Sequence, residues 1–214
     1  SLEPRVNLPR DCGYMVTDRD HVYLAVKNNC IKVNARSGKT EKEFNCPKIN
    51  DDYEYNWGYV ATTGGLLFGS SVRSGNFYSE GRGPWYDDSG FNNAQDSHKV
   101  LSDCLFAVDL AGNRQAWKYN GVIINSTIAI GGGLIYFVEN RNQKVLQDKS
   151  RRLSGGKEWM ALHLVALDVK TGKMVWENDM QFEQRTPVFF STYKDGTLIV
   201  LRSSSKSFDL RAIN

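Results

Sequence analysis

The sequence of 214 residues lacks the apolar run of about 18–20 residues that a membrane-spanning helix needs. It also lacks basic tracts: 27 basic and 24 acidic residues leave a net charge of +3, and lysine and arginine never form a run longer than two. This balance argues against a nucleic-acid surface, and we interpret the small basic cluster at 149–152 as a solvated loop. We therefore expect neither a membrane span nor a nucleic-acid partner.

Cysteine and histidine are scarce and scattered. The four cysteines, Cys12, Cys30, Cys46 and Cys104, have no CxxC spacing, and no two are adjacent. With only three dispersed histidines, no metal site is predicted. The even cysteine count is compatible with two disulfides in an oxidising compartment, and buried free thiols are an equal alternative.

No long helical pattern occurs anywhere, whereas 19 glycines and many aromatic residues favour β structure with tight turns. Turn residues interrupt alternating apolar stretches at 18–20, 64–65, 131–133 and 194–196, which predicts four hairpins. The three consecutive glycines at 131–133 lack the Lys-Ser/Thr and the helix of a phosphate loop, so we interpret them as a hairpin turn.

One stretch, V-A-L-D-V-K-T-G-K-M-V-W at 165–176, organises the chain. Apolar residues alternate from 165 to 169, as in a strand. The strand then breaks at a turn, where Gly172 can take positive φ and Asp168 or Thr171 can hydrogen-bond the turn amides. A second strand follows and carries Trp176, a large ring that needs an apolar slot.

The stretch has relatives in the same chain. The segment F-A-V-D-L-A-G-N-R-Q-A-W at 106–117 repeats the alanine, aspartate and tryptophan without a gap, and Asn113 stands where Gly172 stands. A weaker copy at 31–42 keeps the turn but loses the tryptophan, for which Phe44 is a candidate replacement. A fourth copy begins at 210–214.

A hairpin precedes each copy, so we predict four strands per repeat. The expected repeats are 13–45, 57–120, 125–179 and a partial 185–214, within a single domain spanning 1–214. The longer repeats carry insertions at 73–103 and 140–160. Because both insertions lie between the second and third strands of a repeat, we expect them to project from the same face.

The pattern Ala166-x-Asp168-x-x-Thr171-Gly172-x-x-x-Trp176 resembles the tryptophan-docking repeat of the pyrroloquinoline-quinone (PQQ)-type β-propellers. That superfamily contains quinoprotein alcohol dehydrogenases and a non-catalytic outer-membrane assembly lipoprotein. The resemblance implies an all-β, partial β-propeller of four-stranded antiparallel blades, about half of a closed ring. It also implies that structural docking residues are Ala107, Asp109, Trp117, Ala166, Asp168, Thr171, Gly172 and Trp176.

The resemblance also raises the question of a cofactor. In that family a disulfide between adjacent cysteines, a tryptophan and a calcium ion hold PQQ. This sequence has no adjacent cysteines and no matching calcium ligands, so no cofactor is expected in this segment. Trp57 and Trp159 are candidate stacking residues, but we favour the interpretation that they belong to the core. PQQ with calcium is expected only under the alternative that the chain is part of an oxidoreductase whose cofactor clamp lies outside this chain.

The most function-like segment is the loop at 81–91. It places Trp85, Tyr86 and Phe91 beside Asp87 and Asp88, and rings next to carboxylates suit a sugar or peptide ligand. The alternative is that these rings pack the insertion against its own blade.

The leading hypothesis is a non-catalytic propeller segment that serves as a binding or assembly scaffold in a larger bacterial exported protein. Its expected partners are the remaining propeller blades or a second copy of the chain, together with a protein or glycan ligand. The alternatives are a fragment of a PQQ-dependent dehydrogenase and a carbohydrate-binding module that uses the 81–91 loop. The sequence does not begin with a signal peptide, and the periplasm or cell surface is expected from the resemblance alone.

Overall fold

The computed structural model describes residues 15–74, 99–149, 151–153, 156–180, 189–203 and 207–214. These residues form antiparallel strands, one short helix, α1 (Gln143–Gln147), and one 3-10 turn (Gly156–Trp159). The strands are β1 (Met15–Thr17), β2 (His21–Val26), β3 (Asn29–Asn34), β4 (Thr40–Asn45), β5 (Tyr55–Thr63), β6 (Leu66–Arg73), β7 (Lys99–Asp109), β8 (Arg114–Gly131), β9 (Leu134–Asn140), β10 (Arg152–Leu153), β11 (Leu162–Asp168), β12 (Met174–Met180), β13 (Phe189–Lys194), β14 (Thr197–Ser203) and β15 (Phe208–Ile213).

The strands follow the hairpin turns that the sequence predicts. The turns at 18–20, 64–65, 131–133 and 194–196 join β1 to β2, β5 to β6, β8 to β9 and β13 to β14, which confirms the four hairpins. Glycines supply the left-handed backbone there, as at Gly65 with φ of 78° and Gly133 with φ of 80°. No helix of the described residues is long and apolar enough to cross a membrane.

The described strands divide into three blades of four strands and a last sheet of three. The first sheet has the order β1-β2-β3-β4, and the last described sheet has the order β13-β14-β15. Between them lies one continuous sheet in which the 18-residue strand β8 serves two units. Its residues 114–124 pair with β7, and its residues 123–131 pair with β9. The chain is therefore a partial β-propeller, with β5–β6–β7–β8 and β8–β9–β11–β12 as its middle blades.

The side chain of Thr127 stabilises β8 where it passes from one blade to the next. Its hydroxyl donates to the carbonyl oxygen of Ile124 at 2.7 Å and accepts from the amide of Val138 at 2.8 Å. These two bonds replace ladder bonds that are lost where the register shifts.

Three apolar interfaces lie between consecutive blades, and together they are the core. The first, between blades one and two, contains Tyr23, Cys30, Phe44, Trp57, Leu67, Cys104, Phe106 and Val108. The second, between blades two and three, contains Phe68, Leu105, Ala107, Trp117, Ile123, Ile135, Phe137, Val165 and Leu167. The third, between blades three and four, contains Leu101, Ile124, Tyr136, Trp159, Leu162, Ala166, Phe189, Leu198 and Val200. Each sheet thus buries its face against the next sheet, as propeller blades do.

Candidate functional site

The turns of the three repeats share one geometry. In the third blade, the Oδ1 atom of Asp168 accepts from the amide of Lys170 at 3.1 Å and from the amide and hydroxyl of Thr171 at 2.8 and 2.7 Å. In the first and second blades, Asn34 and Asp109 accept from turn amides in the same way. The bond from the Thr171 hydroxyl, with those from the amides, lowers the pKa of Asp168 below its ordinary value.

The alanine and tryptophan of each repeat lie opposite one another on neighbouring strands. Ala107 pairs with Trp117, and Ala166 pairs with Trp176, and in both repeats a β-bulge follows immediately after the alanine. Both alanines are fully buried. A small side chain at this position leaves room for the indole on the facing strand.

Trp117 connects two blades. Its indole Nε1 donates to the carbonyl oxygen of Val169 in the next blade at 2.9 Å, and its ring covers Gly172. A Cβ on Gly172 would lie 2.6 Å from the ring, and the φ of 67° there also favours glycine. Trp176 is only half-buried and contacts Tyr136 within its own blade, with 5.9 Å between ring centroids.

A buried ionic network lies at the opposite end of the second blade, where both insertions begin. Asp103 accepts from Arg73 Nε at 2.6 Å, from Tyr55 OH at 2.9 Å and from Arg151 Nε at 2.5 Å. Each of these four residues is less than 10% exposed. Although burial opposes its charge, the hydrogen bond that Arg73 donates to Asp103 raises the pKa of Arg73 above its ordinary value. Both carboxylate oxygens of Asp103 are therefore occupied by structural partners.

This network corrects one interpretation of the sequence. Arg151 of the basic cluster at 149–152 is not solvated, because it is 8% exposed and its guanidinium also donates to the carbonyl oxygens of Val145 and Leu146, whereas Lys149 is exposed. Next to it, β10 pairs with the first residues of β7, which joins the second insertion to the root of the first. Sequence analysis missed this network, although Asp103 is a charged residue inside an apolar strand and was the available signal.

A second buried polar row crosses the same blade. Ser102 donates to Asn125 Oδ1 at 2.6 Å, and Ser70 lies 3.0 Å from the same oxygen. Gly58 leaves the space that this row needs, since a Cβ there would lie 2.7 Å from the Ser70 hydroxyl and 3.1 Å from the Asn125 amide nitrogen. These three polar residues are buried in the interior of the blade.

The cysteines of the described residues are free thiols. Cys30, Cys46 and Cys104 form no disulfide, and Cys12 lies outside the described residues. Burial raises the pKa of Cys30 and of Cys46 to about 12, so both thiols are protonated at neutral pH. Within the part of the chain that the structure describes, no three metal-ligating side chains cluster.

Trp57 and Trp159 do not offer a platform for a planar cofactor. Both are 0% exposed. Trp57 packs against Phe106 with 4.9 Å between ring centroids, and Trp159 packs against Phe189 at 6.0 Å. The described residues therefore do not fit PQQ at either tryptophan. The predicted ligand residues Trp85, Tyr86, Asp87, Asp88 and Phe91 lie outside the described residues.

The arrangement of blades matches solved β-propellers, although no family model and no curated protein matches the sequence. The quinohemoprotein alcohol dehydrogenase ADHIIG from Pseudomonas putida HK5 matches with a TM-score of 0.51 at 11% identity, over 92% of this chain and 32% of that chain. The quinohemoprotein alcohol dehydrogenase from Comamonas testosteroni gives 0.51 at 13% identity, over 94% and 34%. A chain of the mitotic checkpoint complex gives 0.55 at 10% identity, over 97% and 50%. This chain thus spans a third to a half of the length of these proteins, and the likeness establishes the fold alone.

Proposed function

We propose that this chain is a non-catalytic segment of a β-propeller and serves as a binding or assembly scaffold in a larger bacterial exported protein. The observation that carries the proposal is the outer face of the last sheet. Phe190, Leu201 and Leu210 are paired directly across β13, β14 and β15. Phe190 is 44% exposed, Leu210 63% and the nearby Phe208 72%. An apolar sheet face of this kind is a surface for association.

The three internal interfaces indicate what covers such a face. The opposite side of the same sheet buries Phe189, Leu198 and Val200 against the third blade. Because the exposed side chains of the outer face are also apolar, another four-stranded sheet can pack against this face in the same way. In a longer protein this sheet is the next blade, and in the isolated chain we expect a second copy to take its place.

The oligomeric state of the 214-residue chain tests this proposal. Light scattering after size exclusion should show a dimer that Phe208→Glu combined with Leu210→Glu converts to monomer. The matched control is Val175→Glu on β12, which is 54% exposed but lies away from this face. A folded wild-type chain that stays monomeric, or a dimer that resists the double substitution, would remove the support for the scaffold role.

The alternative of a PQQ-dependent oxidoreductase rests on the repeat resemblance and on the quinohemoprotein neighbours of the fold. In that case other blades supply the cofactor site. Titration of the longer protein with PQQ and calcium tests this alternative. Unchanged absorbance and an unchanged melting temperature would rule it out.

The carbohydrate alternative rests on the 81–91 loop. A glycan array probed with the wild-type chain, with Trp85→Ala and with Tyr86→Ala addresses it. A signal that neither substitution changes would remove the loop as a sugar site.

The periplasmic or cell-surface location follows from the family resemblance and is tested by fractionating cells that express the longer protein.

A further inference from the structure

The first interface lacks the tryptophan contact that connects blades two and three. In the second blade, Ala107 pairs with Trp117 immediately before a bulge. In the first blade, Lys32 pairs with Lys42 immediately before the equivalent bulge. Lys42 therefore occupies the tryptophan position of the first repeat, and Phe44 packs in the first interface two residues later.

The glycine half of the contact is replaced as well. Asn113, with φ of 50°, takes the left-handed turn position that Gly172 takes with φ of 67°. At Gly172 a Cβ would lie 2.6 Å from the docked ring. Because Asn113 has that Cβ, an indole cannot sit over it as Trp117 sits over Gly172. Both halves of the docking pair are polar in the first interface.

The two replacements leave an open slot between β4 and the turn that joins β7 to β8. Its volume is about 370 Å³, and it is lined in part by Lys42, Phe44, Val108, Asn113, Arg114 and Gln115. Neither Lys42 nor Arg114 makes an ion pair within 4 Å to a carboxylate of the described residues. Glu43 also lines the slot, but its carboxylate accepts a hydrogen bond from the side-chain amide of Asn29 at 3.1 Å.

We propose that this slot binds an acidic segment of a partner protein. Lys42 and Arg114 supply two cations for carboxylates, and Asn113 and Gln115 supply amide donors. Phe44 and Val108 give the slot an apolar wall for the flanking side chain. The volume lies in the range of pockets that enclose small ligands, roughly 300–1,000 Å³. The inference rests on the proposed scaffold role and deepens it, at a place separate from the outer face of the last sheet.

Fluorescence polarisation with the 214-residue chain tests the slot. The probe is a fluorescein-labelled pentapeptide with a central leucine between two glutamates, and the control peptide has glutamines instead. Lys42→Trp with Asn113→Gly restores both halves of the docking pair and fills the slot. Its control is Lys39→Trp, which makes the same exchange at an exposed position of the same repeat. Arg114→Gln removes a cation without filling the slot, and its control is Arg36→Gln, whose side chain is 88% exposed.

We expect the acidic peptide to bind about tenfold or more tightly than the glutamine peptide. The filled-slot variant and Arg114→Gln should each weaken binding about tenfold or more, while both controls bind as the wild type does. Equal affinity for the two peptides, or equal effects of Arg114→Gln and Arg36→Gln, would overturn the inference. If the filled-slot variant does not fold, the arginine pair decides. If the wild-type chain dimerises but does not bind the acidic peptide, the slot proposal fails and the scaffold proposal stands. If the chain binds the peptide but stays monomeric, the support from the outer face fails and the slot proposal stands.

Discussion

Trp117 lies over Gly172 so closely that a single added carbon on the glycine would come within 2.6 Å of the ring. The two residues are far apart in the sequence and belong to different blades. The hydrogen bond from the indole to Val169 fixes the ring in the same turn. This contact adds a ring contact and a hydrogen bond to the second interface, so its loss should lower the stability of the fold.

Removing the indole tests this contact directly. We expect Trp117→Ala to lower the free energy of unfolding by about 3–5 kcal/mol, because a buried ring and a hydrogen bond are both lost. Urea denaturation followed by circular dichroism measures it. Trp176→Ala is the matched control and should cost clearly less, since that ring is only partly buried. Equal losses for the two variants would contradict a special role for Trp117.

Gly172 should be far less tolerant of alanine than Gly38. Both glycines occupy the left-handed turn position, with φ of 67° and 68°, but a Cβ on Gly38 meets nothing within 4 Å. Gly38→Ala should therefore cost only the backbone strain, about 1–2 kcal/mol. Gly172→Ala introduces the same backbone strain, and its Cβ also displaces the Trp117 ring. The difference between the two melting temperatures isolates the contact with the ring, and no difference would refute it.

Asp103 should contribute strongly to folding stability. Asp103→Asn leaves the guanidiniums of Arg73 and Arg151 buried without their carboxylate, which costs about 3–5 kcal/mol. The control is Asp209→Asn, which breaks the partly exposed pair with Arg202 and should lower stability clearly less. Denaturant titration of both variants makes the comparison, and similar small losses would show that the buried network contributes little.

The turn carboxylate of Asp168 should make stability depend on pH at the acid end. Its pKa is lowered in the folded state, mainly by the Thr171 hydroxyl, so its contribution is present above the ordinary pKa of 3.8. The contribution is lost as the pH falls through the lower folded value. The difference in stability between wild type and Asp168→Asn should therefore be largest near neutral pH and shrink in acid. A difference that stays constant to about pH 2 would rule out this linkage.

The buried thiols should be unreactive until the chain unfolds. Burial raises the pKa of Cys30 and of Cys46 to about 12, and it also raises the pKa of Cys104. In a variant that combines Cys12→Ser with Cys46→Ser, which removes the partly exposed thiol, Ellman's reagent should label neither Cys30 nor Cys104 of the native protein near neutral pH and both after denaturation. Rapid labelling of the native variant would show that these interfaces open.

Local sequence signals predicted the strands and turns well because they act between neighbouring residues. Gly-Gly and Asp-Gly between alternating apolar residues specify hairpins through backbone geometry alone. The repeated Asp and Asn turns were also visible, since each side chain bonds amides two or three residues away. The small helix α1 and the short strand β10 were not predicted, because the second insertion has no periodic apolar pattern that would specify them.

The sequence by itself determined that this protein is an array of four-stranded units with a repeated turn and a repeated tryptophan, because periodicity and turn chemistry are local properties. Only the tertiary structure decided that Trp117 meets Gly172, that Lys42 and Asn113 replace the docking pair in the first interface, and that Asp103 joins Arg73 to Arg151. Such pairs are separated by tens of residues, as with the 48 between Asp103 and Arg151. They meet only after the blades stack, since burial of one sheet face against the next brings them together.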